Sequence, residues 1–120
     1  MIQIKRVYDK PSSNDGIRIL VDRMWPRGCT KEHARLDAWR KDLAPSAALR
    51  TWFGHDPAKW KEFRTRYRKE LSQPEQGSAI EDLARLAQAQ TVTLLYGASD
   101  TEHNQAVVLK ELIDSAKGRI

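Results

Sequence analysis

Cysteine is almost absent: Cys29 stands alone among 120 residues, so the chain closes no internal disulfide. That is the usage of a reducing compartment, and a cytoplasmic location is expected. No apolar run approaches the ~18 residues that span a bilayer, and no signal-peptide pattern opens the chain, so no membrane role is expected. The three histidines lack metal-ligand spacing and the lone cysteine adds no cluster, so neither a metal site nor a cofactor is expected. A glycine-rich phosphate loop and a Gly-x-Ser-x-Gly elbow are both missing. Repeats, low-complexity tracts and linkers are missing too, which leaves residues 1–120 as a single domain. At this length a chain buries roughly two-thirds of its unfolded surface.

What the chain does have is charge. Lys and Arg total 21 against 16 Asp and Glu, a net charge of +5 that favours acidic partners, either nucleic acid or a small anionic molecule. With 40% hydrophobic and 31% charged residues the composition is that of a folded globular domain.

The most informative stretch is 17–28, Ile-Arg-Ile-Leu-Val-Asp-Arg-Met-Trp-Pro-Arg-Gly. Its apolar start predicts a strand over 17–22 buried on both faces, as in a parallel sheet. Thr91 to Tyr96 is a second such strand, stopped by Gly97. The alternation of Ile2 and Ile4 predicts a short first strand. The turn cluster 11–16 is too short for a usual parallel crossover, so that strand is expected antiparallel to 17–22 or at an edge.

Between the main strands lies a helical insertion. Thr30 caps an expected helix carrying Leu36, Trp39 and Leu43, and Pro45-Ser46 restarts a helix with Leu49, Trp52 and Phe53 that Gly54 stops. Asp56-Pro57 opens a basic helix with Trp60, Phe63, Tyr67 and Leu71 on one stripe and Lys59, Lys61, Arg64, Arg66, Arg68 and Lys69 around it. Ser78 with Glu81 and Ser99 with Glu102 read as capping boxes. Ala106, Leu109, Leu112 and Ile113 trace a final helix. The expected fold is therefore α/β: a small, mostly parallel sheet flanked by helices, with the helical insertion between its two buried strands.

Parallel neighbours would bring two strand ends to one crevice, where ligands of open α/β sheets bind. Asp22, Arg23 and Arg27 would then face Tyr96, Ser99 and Asp100, with His103 and Asn104 at the start of the last helix. An anion held there would be forked by arginine, and Asp22 or Asp100 would act as general base with His103 moving the proton. The plainer alternative has Ser99 or Asp100 capping the helix and Asp22 paired with a neighbouring arginine. Trp25, next to the charged cluster, would wall a pocket and stack on a planar ligand, whereas Trp39, Trp52 and Trp60 read as core. His55 lies at a helix junction, with catalysis its sharper reading, and His33 reads as exposed. Cys29 reads as a spectator thiol. The basic helix 59–69 is either a solvated face or a surface that tracks a phosphate backbone.

The segments Arg18-Ile-Leu-Val-Asp-Arg-Met-Trp-Pro-Arg-Gly28, Trp39-Arg-Lys-Asp-Leu-Ala-Pro-Ser46, Trp52-Phe-Gly-His-Asp-Pro57, Val92-Thr-Leu-Leu-Tyr96 and Glu102-His-Asn104 together resemble the YeaO-like proteins of the bacterial and archaeal family called domain of unknown function 488. The resemblance covers nearly the whole chain in order. It implies a small α/β domain with a mostly parallel sheet, and it implies no particular reaction. Val21, Asp22 and Pro26 loosely match the broader family's Val-Asp-x-Arg-x-x-Pro-x-Ser segment. Where that family often has Cys-His-Arg after its later strand, this chain has Asn104, Gln105 and Ala106, so no role of that cysteine or arginine carries over.

Taken together, these features predict a small anionic or planar ligand at the ends of two parallel strands, with hydrolase- or transferase-type chemistry open to Asp22, Asp100 and His103. The alternatives are a nucleic-acid-binding module using helix 59–69, and an interaction domain whose charged strand end is purely structural.

Overall fold

Four short strands, β1 (Ile2–Arg6), β2 (Ile17–Leu20), β3 (Ala38–Trp39) and β4 (Val92–Tyr96), form one sheet in the order β1-β4-β2-β3 in a computed structural model that describes residues 1–119. Every neighbouring pair is parallel, with Ile2 opposite Val92, Ile17 opposite the same Val92, and Leu20 opposite Trp39. Five α-helices accompany them: α1 (Lys31–Ala34), α2 (Ala47–Phe53), α3 (Trp60–Leu71), α4 (Pro74–Ala89) and α5 (Gln105–Lys117). The fold is α/β, and no helix among the described residues is long and apolar enough to cross a membrane.

The buried runs behave as a parallel sheet requires. Ile19 and Val21 from the second strand segment and Val92, Leu94 and Tyr96 from β4 face a core built with Phe53, Phe63, Tyr67, Leu83, Leu109 and Ile113 of the helices. Leu20 and Leu95 face the other way, onto Val7, Cys29 and Ala34, with Tyr8, Trp25, Leu36 and Trp39 packed around them. Helices thus cover one face, while connecting segments and α1 cover the other. Burial on both sides is what removes the polar alternation from β2 and β4.

Arg18 is the exception inside β2, only 5% exposed. Its guanidinium bonds the carboxylate of Asp15 and the carbonyl oxygen of Ala34 at 2.7 Å, while Lys5 reaches Asp15 at 3.1 Å. Such a buried pair survives because its hydrogen-bonding capacity is filled. Just before it, Gly16 adopts φ +62°, and a Cβ there would lie 2.1 Å from the carbonyl oxygen of Thr91. Only glycine allows that approach.

Several expectations need correction. β1 sits at an edge, as one reading held, but it is not antiparallel to β2: β4 lies between them and all strands point one way. Residues 7–16, at about 3.3 Å per extended residue, reach ~33 Å, enough to return past a short strand without a full helix. The helix expected from Thr30 to Leu43 is a single turn. Thr30 does cap it, accepting from the amide of His33, but the chain turns at Arg35 (φ 47°) and extends as β3. Pairing wins over helix propensity here: Asp37 and Arg40 amides bond the carbonyls of Arg18 and Leu20 at 2.8 and 2.9 Å. Leu36 and Trp39 then pack on one side of the sheet and Leu43 on the other.

The two capping boxes are also absent. α4 begins at Pro74, whose ring presets the first turn, so Ser78 lies inside the helix. α5 is capped by Asn104, whose side chain accepts from the amides of Ala106 and Val107, and Ser99 is an exposed loop residue. By contrast, Gly54 ends α2 at φ 53°, and Asp56-Pro57 opens the turn that leads into α3 with Asp56 accepting from the amide of Ala58.

Candidate functional site

β2 and β4 end side by side, and their continuations meet through one side chain. Asp22 lies two residues beyond β2, and its Oδ2 accepts the amide of Gly97 at 2.9 Å, while Oδ1 accepts from the side-chain amide of Gln105 at the start of α5. Burial pushes the Asp22 carboxyl up to about 6, against the opposing pull of these two donors and of the charges on His55 and Arg50. Desolvation therefore outweighs four influences that favour ionisation.

Asp22 lies at a pocket of about 320 Å³. This is at the lower end of the range for small-molecule sites. Met24, Pro26, Pro45, Phe53 and Phe63 supply apolar lining, and Arg23, Arg27, Arg50, His55 and His103 bring cationic or titratable groups to it. A second, more open hollow shares Tyr8, Arg27, His55, Gly97 and Ala98 with the first and adds Arg6 and Ser99. Among the described residues, Arg23, Arg27 and Arg50 make no ion pair. Arg23 donates through Nε to the carbonyl of Pro45 at 3.1 Å, and Arg50 approaches the sulfur of Met24 at 3.3 Å. Three guanidinium groups thus keep bonding capacity at the pocket, with Asp22 the single carboxylate lining it among the described residues.

The residues singled out from the sequence separate into three groups. Asp22, Arg23, Trp25, Arg27, His103 and Asn104 line the pocket together. Ser99 belongs only to the adjoining hollow. Tyr96 is 2% exposed and packs into the helix-side core. Asp100 stands behind His103, its Oδ2 2.9 Å from Nδ1 and its Oδ1 accepting the amides of Glu102 and His103. The Glu102 amide and the His103 ring hold the Asp100 carboxyl below its usual range. His103 does not lie in the first turn of α5 but just before its cap, with its ring edge-on to Trp60 at 5.3 Å between centroids. With Nδ1 facing a carboxylate, the other ring nitrogen remains for a ligand.

Asn104 is committed to structure: its Oδ1 caps α5 and its Nδ2 donates to the carbonyl of Asp100 at 2.9 Å. Trp25 is similarly fixed, donating to the carbonyl of Cys29 at 2.6 Å and meeting Trp39 edge-on at 5.4 Å. Trp39 in turn donates to the carbonyl of Asp22 at 2.7 Å, so the two tryptophans brace the segment that carries the charged cluster. Arg50, Phe53, Phe63, Gly97 and Gln105 join the pocket without having been singled out as site residues. Gly97 directly follows the strand and was legible as a break. Arg50 and Gln105 sit on helices whose approach to Asp22 only the tertiary fold produces.

The basic helix is largely occupied with its own neighbours. Arg64 forks Glu111 of α5 at 2.8 and 2.7 Å, Arg68 bonds the same carboxylate at 2.8 Å, and Arg66 reaches Glu62 at 3.2 Å. Arg66 and Lys59 also lie over the Trp52 ring at 4.2 and 5.1 Å. Among the described residues, no group of three or more His, Cys, Asp and Glu side chains is placed to hold a metal ion.

A family model described as the inactive DUF488-N3 subclade matches residues 1–119. The Escherichia coli protein named "Uncharacterized protein YeaO" is 46% identical over 114 residues, covering 95% of this chain and 97% of the relative. Uncharacterised proteins of Mycobacterium bovis and Mycobacterium tuberculosis are each 36% identical over 113 residues, covering 94% of this chain and 93% of theirs. No solved structure matches. The chain belongs to the DUF488 family, in the subclade described as inactive DUF488-N3.

Proposed function

We propose that this protein binds a small, flat, anionic ligand in the pocket at the ends of β2 and β4, and binds it without turning it over. The observation that carries the proposal is the set of three guanidinium groups, Arg23, Arg27 and Arg50, around an aromatic-walled pocket with no carboxylate partner within ion-pair distance among the described residues. Cations that converge on a concavity without an ion-pair partner suit a carboxylate or phosphate, which arginine binds through paired N–H donors. Tyr8, Met24 and Trp25 supply the apolar surface that a planar group covers, and the buried Phe53, Phe63, Pro26 and Pro45 support it from behind.

Binding is favoured over turnover by the description of the subclade as inactive. Asp22 points the same way: both its oxygens are already engaged by Gly97 and Gln105, an arrangement that fixes an acceptor in place. The hydrolase- or transferase-type reading would rest on the Asp100–His103 pair at 2.9 Å as a proton relay. The nucleic-acid reading is weakened because Arg64, Arg66 and Arg68 are paired within the chain.

Phenyl phosphate, which joins a flat ring to a dianion, is the direct probe. The melting temperature of wild type should keep rising with the logarithm of its concentration above Kd, the stability gain reaching about 2.7 kcal/mol at a hundred times Kd. Arg27→Ala should remove that rise. A wild-type melt that ignores phenyl phosphate and aromatic carboxylates alike contradicts the proposal.

A further inference from the structure

We propose that the ligand is a nucleoside phosphate, its base seated against Asp22 and its phosphate carried outward to Arg27, which lines both hollows, and to Arg6 of the second. This rests on the pocket being a site for a flat anion and names what fills it. The pocket is chemically two-ended. Its inner end presents acceptors: Asp22 keeps one lone pair on each oxygen after bonding Gly97 and Gln105, and the amide oxygen of Gln105 also remains. The ring nitrogen of His103 opposite Asp100 adds a third acceptor when the imidazole is neutral. A ligand that meets this end must offer N–H donors.

The outer end presents donors. Arg27 lines both hollows with no side-chain hydrogen bond among the described residues, and His55 stands beside it in both. Arg6 enters the second hollow with Nε and one Nη spent on the carbonyls of Ala98 and Gly97, leaving its other Nη for an anion. Tyr8 and Trp25, both partly exposed, bring aromatic rings to the same lining, and the buried Phe53, Phe63 and Pro26 back it. A molecule that joins N–H donors, a ring and a phosphate matches these groups, and nucleotides have all three. A carboxylate that accepts from two adjacent N–H groups selects guanine, whose N1–H and N2–H lie side by side, over uracil, which offers one such donor between two carbonyls.

Isothermal titration of the full chain tests this with guanosine monophosphate, uridine monophosphate, guanosine and phenyl phosphate. Guanosine monophosphate should bind at least tenfold more tightly than each of the other three. Asp22→Asn should shrink the preference over uridine monophosphate to under threefold. Arg27→Ala should bring guanosine monophosphate to the affinity of guanosine. The wild-type comparison alone decides the matter if a variant fails to fold. Phenyl phosphate binding as tightly as guanosine monophosphate overturns the nucleotide assignment and leaves the anion pocket standing. Equal binding of the two nucleotides likewise overturns the assignment of the base to Asp22. Binding of none of the four overturns both readings.

Discussion

The amide of Gly97 donates to Oδ2 of Asp22 at 2.9 Å, tying the chain beyond β4 to the chain beyond β2. A Cβ at position 97 would sit 2.9 Å from that same oxygen and 3.5 Å from the ring of Pro26. Gly97→Ala must therefore push Asp22 off its donor. The substitution should lower stability by about 1–3 kcal/mol, the penalty of a partly buried acceptor losing its bond. Urea unfolding checks this, and phenyl phosphate binding should weaken in parallel.

Asp22 also makes stability depend on pH. Its folded carboxyl is raised from 3.8 to about 6, so protonation favours the folded state. The sign follows: below pH 4 both states hold the proton and nothing is lost, whereas stability falls as pH rises from 4 to 6 and levels off above. A shift of this size corresponds to roughly 3 kcal/mol at most, with partial solvent access reducing it. Asp22→Asn keeps an acceptor for Gly97 without the charge. The variant should be more stable than wild type at pH 8 and should lose that advantage at pH 4, as read from chemical denaturation at the two values.

Asp15 has the opposite sign. Burial raises its carboxyl, but the Ser12 amide, Lys5 and Arg18 more than offset this and hold it below 3.8. Its contribution is present at neutral pH and is lost as pH falls through that lowered value. Asp15→Asn leaves the Arg18 guanidinium buried without its counter-charge and should cost about 3–5 kcal/mol in urea unfolding. Addition of phenyl phosphate should not restore the loss, because this pair lies away from the pocket lining.

The basic helix should prove an ordinary face. Reversing Arg64 and Arg68 to Glu breaks both contacts to Glu111 and sets like charges together. Exposed pairs of this kind contribute up to about 1 kcal/mol each, so a small loss of stability is expected. Nucleic-acid affinity should show no steep salt slope in wild type and no change in the variant; a slope that shrinks by about one per removed contact would revive the nucleic-acid reading.

The parts of the fold that were legible in sequence are those where one local signal decides the outcome. The apolar runs of β2 and β4 predict buried parallel neighbours, and Gly54 and Asp56-Pro57 mark boundaries that the structure keeps. β3 was hidden because two residues carry no period, and Leu36, Trp39 and Leu43 imitate a helix stripe while belonging to opposite faces of the sheet. Sequence alone does not place the cap of α5, because Ser99 and Asn104 are both good capping residue types and it is Asn104 whose side chain accepts from the first amides of the helix. In the pocket, the charge ending β2 was readable as a cluster. Arg50 and Gln105 were not, since only the packing of α2 and α5 around the sheet end brings Arg50 to the pocket and Gln105 to Asp22.

The most direct measurement is amide chemical-shift mapping of the wild-type chain during titration with phenyl phosphate, repeated with Arg27→Ala. Substitution of an exposed arginine without a side-chain partner should change apo stability by about 0.5 kcal/mol or less, so the two proteins are comparable. Saturable shifts should appear at Gly97, Arg27 and His103 in wild type and vanish in the variant. Shifts confined to residues 59–69, or shifts of equal size in the variant, would contradict a binding pocket at the ends of β2 and β4.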